Sequence, residues 1–210
     1  MRATFLAGPM LALAACGQSA APPAETAPAE STQMQVPENH LTCADFSGVT
    51  LASLQERFGA ENIVEQTLPG AEGEGYTATV VYPNDATRRL EVVWAAQAAH
   101  TRAQTILVTG DENTWVGPSG VEIGEQLTEV EEGNGRAFEL SGFGWDYGGS
   151  VTDWRNGNLD QAGCHVMVRF TAEGDTPDAI TGDRLLSSDL PEMHAANPRV
   201  YQFGLTFPAE

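Results

Sequence analysis

The chain has 210 residues, 41% hydrophobic and 8% aromatic, which fits one or two small globular domains and excludes a wholly disordered chain. Ten Lys+Arg stand against 29 Asp+Glu, a formal charge of −19, and every basic residue is arginine. The missing lysine excludes P-loop, Schiff-base and general-base lysines, and the acidity excludes nucleic acid, whose phosphates need clustered positive charge.

Met1-Arg2 is a minimal positive n-region, and residues 3–15 are an apolar stretch broken by Gly8-Pro9. That stretch falls short of the roughly 20 residues of a spanning helix, so a signal peptide is expected in place of a transmembrane segment. It ends in Leu13-Ala14-Ala15-Cys16, which resembles the lipobox of bacterial lipoproteins. The resemblance implies cleavage after residue 15 and acylation of Cys16. The alternative is an ordinary secretion signal with a chance cysteine. Gly17 stands where the family's sorting rule needs Asp for inner-membrane retention, so the resemblance implies the outer membrane, facing the periplasm.

Residues 17–40 carry four prolines and no aromatic residue. Too little apolar surface is present to offset ordering entropy, so 16–40 is expected to be a lipidated, disordered tether. Its reach lies between about 25 Å as a coil and about 75 Å as polyproline. From residue 41 onward nine arginines face 26 acidic residues, a net charge of −17. Anionic headgroups repel such a domain, so the acyl chains at Cys16 are expected to make the bilayer contact.

The remaining elements follow in chain order. Cys43 and Cys164 are the cysteines left once Cys16 is set aside, and an oxidising compartment favours one disulfide between them; two separate thiols are the alternative. Thr50 can cap a helix over 51–58, where Leu51, Leu54 and Phe58 share a face and Gly59 is the stop. Residues 76–82 set Tyr76, Ala78, Val80 and Tyr82 against Thr77 and Thr79; 83–87 is a turn by composition. Residues 88–94 return with Leu90, Val92 and Trp94 on one face, completing a hairpin.

Residues 111–118 form a polar loop carrying Trp115, which either meets a partner or anchors the connection between halves of the domain. A weaker helix is expected over 125–132, with Leu127 and Val130 on its stripe. Asn156-Gly157, between residues 152–154 and Leu159, signals a type I′ hairpin. Cys164, Val166, Val168 and Phe170 alternate with His165, Met167 and Arg169 in a strand. Ser188 or Asp189 can cap a short helix with Pro191 in its first turn, stopped by Asn197-Pro198. The last strand puts Tyr201, Phe203, Leu205 and Phe207 on its buried side.

This is an α+β pattern: mostly antiparallel sheet with two or three short helices over residues 41–210. Gly48-Val49-Thr50-Leu51 with a helix ending at Gly59 is answered by Gly120-Val121-Glu122-Ile123 with one ending near Gly135. An internal duplication of 41–110 in 111–210 is therefore one reading, and a single unit the other. The helix-then-sheet order resembles the tandem modules of β-lactamase inhibitor proteins and small outer-membrane assembly lipoproteins. That likeness is one of pattern and carries no functional residues across.

Residues 141–154, SGFGWDYGGSVTDW, are the most unusual segment. On one reading Trp145, Asp146 and Tyr147 form a recognition site for a peptide, glycan or cation, two ring faces flanking an acceptor. On the other, the glycines serve a tight bulged hairpin and the aromatics fill the core. Asp146, Asp153, Asn156, Asn158 and Asp160 suggest a calcium loop, but their spacing departs from the D-x-[DN]-x-[DN]-G pattern. Gly117-Pro118-Ser119-Gly120 misses a nucleophile elbow by one residue, and Gly142, Gly144 and Gly148 lack Rossmann spacing. His40, His100, His165 and His194 show no zinc-ligand spacing. No cofactor or metal is expected.

The leading expectation is a non-catalytic, lipid-anchored module that binds an envelope protein. The second is an inhibitor of a cationic, lysozyme-like enzyme, its encounter accelerated by the acidic domain. The third is an unrecognised hydrolase using Asp146 or Asp153 near His165.

Overall fold

The computed structural model describes residues 39–70, 73–174 and 176–209; the expected signal peptide, Cys16 and the tether through residue 38 lie outside them. Residues 39 and 40, assigned above to the tether, are already paired: Val116 N–H donates to the Asn39 carbonyl and His40 bridges Val116.

Two short helices come first, α1 (Cys43–Phe46) and α2 (Leu51–Phe58). The Thr50 hydroxyl accepts from Ser53 N–H while the Ser53 hydroxyl accepts from Thr50 N–H, closing a capping box, and Gly59 ends α2 at φ 84°. A four-strand meander follows: β1 (Ile63–Pro69), β2 (Gly75–Val81), β3 (Leu90–Trp94) and β4 (Ala103–Thr109). The expected hairpin is present, with Val81 opposite Leu90 and Thr79 opposite Val92.

Helix α3 (Leu127–Asn134) begins two residues later than the expected span of 125–132. Glu125 and Gln126 are used elsewhere: Val200 N–H donates to the Glu125 carbonyl and Gln126 bridges Arg199. Then come β5 (Glu139–Ser141), β6 (Val151–Asp153), β7 (His165–Thr171), β8 (Leu185–Ser187), α4 (Pro191–Ala196) and β9 (Arg199–Thr206). Neither Ser188 nor Asp189 caps α4. Leu190 holds that position, Pro191 supplies the preset φ, and the buried Ser188 hydroxyl accepts from Phe138 N–H at 2.9 Å.

The strands form a six-stranded antiparallel sheet, β1-β2-β3-β4-β9-β7, and a three-stranded one, β6-β5-β8. The two segments proposed as copies differ in topology. The first segment builds one meander, whereas the second divides its strands between two sheets and sends β9 in beside β4. The turn near Asn156 also differs from expectation. Arg155 and Asn156 take positive φ, the turn closes by Gly157 N–H to the Trp154 carbonyl, and the chain then runs to Asn134 without a second strand.

The inner face of the large sheet carries Val81, Leu90, Val92, Trp94, Ile106, Phe203, Leu205 and Val168 into one buried cluster. Phe46, Leu54 and Phe58 of the first helices, Leu127 and Val130 of α3, Leu140 of the small sheet and Trp154 just past β6 join it. Trp115 belongs here as well: 2% exposed, edge-on to Phe46 and Phe58, its indole N–H donating to the Arg88 carbonyl at 3.0 Å. The contact reading of Trp115 is thereby corrected, because its ring surface is taken up by the core.

Strand β9 holds the main departure from simple alternation. Arg169 pairs with Gln202 and Phe170 with Val200, so Tyr201 is an extra residue in a β-bulge. Val200 takes the core position at 1% exposure, and Tyr201 is turned out of it, half-buried.

Two predictions rest on this architecture. The Cys43–Cys164 disulfide joins α1 to the start of β7 across 121 residues. Reducing it, or replacing both cysteines with Ser, is expected to lower unfolding free energy by about 4–5 kcal/mol on the loop-entropy relation. Equal denaturation midpoints with and without reductant would exclude that contribution.

The second concerns Glu125, half-buried in a hollow shared with Glu122, Glu129 and Glu132. Burial, reinforced by Glu129 and Glu122, pushes its carboxyl up to about 7, against the opposing bond from Glu122 N–H. The folded state then holds a proton that the unfolded state has released, so this group's contribution falls as pH rises from about 4.5 to 7. Solvent on its open side limits the effect to about 1–2 kcal/mol. Glu125→Gln keeps the acceptor oxygen and should stabilise the protein at pH 8 but not at pH 4, as measured by urea midpoints.

Candidate functional site

The opposite face of the large sheet is buried along β2 and β3 and open towards β4, β9 and β7. Register places Val64, Val80, Glu91, Leu107, Gly204 and Met167 in one row across six strands. Ala78 and Val80 are fully buried on this face. Glu91, 5% exposed, is held by the Tyr76 hydroxyl at 2.8 Å and by Arg89 at 3.1 Å. Burial and the Glu91 carboxylate push the Tyr76 phenol well above its ordinary value.

Towards β4, β9 and β7 the face opens into two adjoining hollows of about 760 and 350 Å³ that share Leu107, Arg169 and Gln202. Pro69, Gly70, Gly73 and Tyr76 of the first hairpin line one side of the larger, and Trp145 and Asp146 also line it; Tyr147 and His165 line the smaller. Tyr201, turned out by the bulge, lines the larger hollow too.

The loop between β5 and β6 is fixed by its own sequence. Phe143, 5% exposed, anchors it, and Phe143 N–H donates to the Ile180 carbonyl while Gly182 N–H donates back. A side chain at Gly142 would stand 2.5 Å from the Gly182 carbonyl oxygen, so only glycine lets the two backbones approach. Gly148 N–H closes a turn on the Trp145 carbonyl, and the Ser141 hydroxyl donates to the Tyr147 carbonyl at 2.8 Å. These bonds present Trp145 (37% exposed) and Tyr147 (49% exposed) as an edge-to-face pair with centroids 5.5 Å apart. The Trp145 indole N–H donates to the Gly142 carbonyl at 2.8 Å, which fixes the ring.

Arg169 ties loop to floor. Its guanidinium donates to the Gly148 and Asp146 carbonyls and lies 5.3 Å from the Tyr201 ring centroid. Burial pushes the Tyr201 phenol up, and Arg169 pulls it partly back. Among the described residues, the Asp146 carboxylate, the Gln202 amide and the hydroxyls of Tyr147 and Tyr201 have no hydrogen bond within the protein.

Residues 141–154 thus divide between both sequence readings. Phe143 and Trp154 are core, and Trp145, Asp146 and Tyr147 gather at the groove. The suggested calcium ligands are dispersed: Asp153 accepts from Arg155 N–H, Asn158 donates to the Gly133 carbonyl, and Asp146 lies in the groove. His165 lines the groove without a hydrogen bond to Asp146 or Asp153 among the described residues.

Sequence reasoning missed Tyr76, Arg169, Tyr201 and Gln202. Arg169 carried a signal, as the arginine on the non-core side of an otherwise apolar strand; the bulge that turns Tyr201 outward left none. Compared with protein-family models, curated proteins and solved structures, the chain matches none.

Gly142→Ala is expected to destabilise the protein by about 1–3 kcal/mol, the usual range for forced overpacking. It should also loosen Trp145. Urea denaturation and acrylamide quenching report the two effects, and a variant as stable and as quench-resistant as the parent would show that the loop is not clamped at this point.

Proposed function

We propose that this chain is a lipid-anchored binding module of the bacterial cell envelope. Acylated Cys16 holds it in the outer membrane, facing the periplasm, and the groove on the outer sheet face is its binding surface. The anchor rests on residues 13–16 and on the composition of the tether. The binding surface rests on one observation: an exposed Trp145–Tyr147 pair is fixed in place beside side chains whose hydrogen-bonding capacity is unspent.

Binding suits this lining better than chemistry does. Glu91 is committed to Tyr76 and Arg89, and Arg169 to two carbonyls. These bonds spend both groups on holding the shape of the face.

A second reading, inhibition of a cationic lysozyme-like enzyme, is favoured by the net charge of −17 and by the hollow where Glu125 gathers with Glu122, Glu129 and Glu132. The two readings place the contact on different surfaces. Trp145→Ala with Tyr147→Ala should abolish capture of envelope material by the intact lipidated protein, with little dependence on salt. Loss of capture through Glu129→Gln and Glu132→Gln, or in high salt, would favour the inhibitor. For the anchor, palmitate incorporation and detergent-phase partitioning should both disappear in Cys16→Ser; a parent protein that stays in the aqueous phase would refute it.

A further inference from the structure

Resting on the groove reading above, we propose that the occupant is a linear glycan chain of hexose or N-acetylhexosamine rings, stacked on Trp145 and Tyr201 and hydrogen-bonded by Gln202 and Asp146. Four features of the groove select this chemistry.

The first is the floor. Strands β4 and β9 are interior to the sheet, β4 between β3 and β9 and β9 between β4 and β7, so their backbone groups are consumed within it and the face over them offers side chains alone. An extended peptide brings an N–H and a C=O with every residue and finds partners for them at a sheet edge. Across a face, those groups would be desolvated without replacement bonds. A sugar ring carries its polar groups on its rim and an apolar C–H face between them, which suits side chains alone.

The second is the juxtaposition of ring faces and unspent polar groups. The electron-rich face of an aromatic ring attracts weakly positive C–H bonds. Trp145 and Tyr201 line the same hollow as the Asp146 carboxylate and the Gln202 amide, so stacking and hydroxyl recognition are available together. Because Trp145 is fixed by its bond to Gly142, little ordering is needed on binding.

Charge is the third. A domain of net charge −17 repels polyanions, and beside Asp146 the larger hollow holds only the single cation Arg169 among its described residues. A neutral or sparsely charged glycan meets neither obstacle. The fourth is shape: the hollows adjoin and the groove is open, which suits a chain rather than one small molecule.

The test uses the full lipidated protein in phosphocholine micelles, since sugar-headed detergents would compete. The probes are cello- and chito-oligosaccharides of several rings, with maltodextrin as a differently linked comparison. Trp94, Trp115 and Trp154 are at most 3% exposed, so a fluorescence change reports Trp145. At least one probe should shift tryptophan emission to the blue and shield it from acrylamide. Calorimetry should then show binding weakened about tenfold or more by Tyr201→Ala and by Gln202→Ala, each with a melting temperature near the parent's.

No emission change and no heat with any probe would overturn the glycan, as would full affinity in folded Tyr201→Ala. A photo-crosslinking residue at position 145 in cells separates this failure from that of the groove itself. A protein adduct there refutes the glycan and keeps the groove as a binding surface. Absence of both adduct and saccharide binding refutes both.

Discussion

The last strand of the chain lies in the interior of the sheet. Strand β9 is hydrogen-bonded to β4 on one side and β7 on the other, so it joins the N-terminal meander to everything that follows α3. Its inner residues Phe203 and Leu205 are fully buried. On the outer side Gly204 leaves no room for a side chain, because a Cβ would run into the Ile106 carbonyl. Its pairings with β4 join segments much farther apart in sequence than its pairings with β7, so closing the β4 side carries the larger loop-closure cost. The groove floor is a consequence: until β9 inserts, Leu107, Gln202 and Arg169 share no surface.

The same strand supplies the irregularity that the groove needs. A regular β9 would alternate Tyr201, Phe203 and Leu205 inward and leave Val200 facing out. One extra residue opposite Arg169 and Phe170 reverses both ends of that choice. Val200 fills the core, and Tyr201 comes within 5.3 Å of the Arg169 guanidinium. Arg169 in turn holds two carbonyls of the Trp145–Tyr147 loop. Core packing, loop position and groove lining therefore meet at the β7–β9 pairing, and a change there is felt in all three.

Local rules made much of the fold legible. The Thr50 cap, the Gly59 stop, the β2–β3 hairpin and the alternation of β7 are each set by neighbours in sequence, and each is found where those neighbours put it. The departures have non-local causes. Helix α3 starts late because β9 claims Glu125 and Gln126, and the turn at Asn156 opens away because Asn134 offers its backbone and side chain to Asn158 and Leu159. The site followed the same division. Trp145, Asp146 and Tyr147 stood out through local composition. Tyr76, Tyr201 and Gln202 reach the groove through strand register and a bulge, neither of which is encoded within a few residues.

Tether and groove make different demands that fit together on the proposed reading. A groove that recognises uncharged rings through stacking and a few hydrogen bonds binds weakly at each ring, because most of its gain offsets lost water contacts and lost motion. Anchoring changes what such affinity must achieve. On that reading the anchor would confine the domain to a thin layer beside the membrane, where its effective concentration would be on the order of millimolar. Beside a membrane, the acidic surface would contribute by repulsion, keeping the domain off anionic headgroups and off its own copies. What is left for the groove is selectivity, and that depends on ring faces held in one orientation. The glycines of the 142–149 loop and the bond from Trp145 to Gly142 supply that fixed orientation.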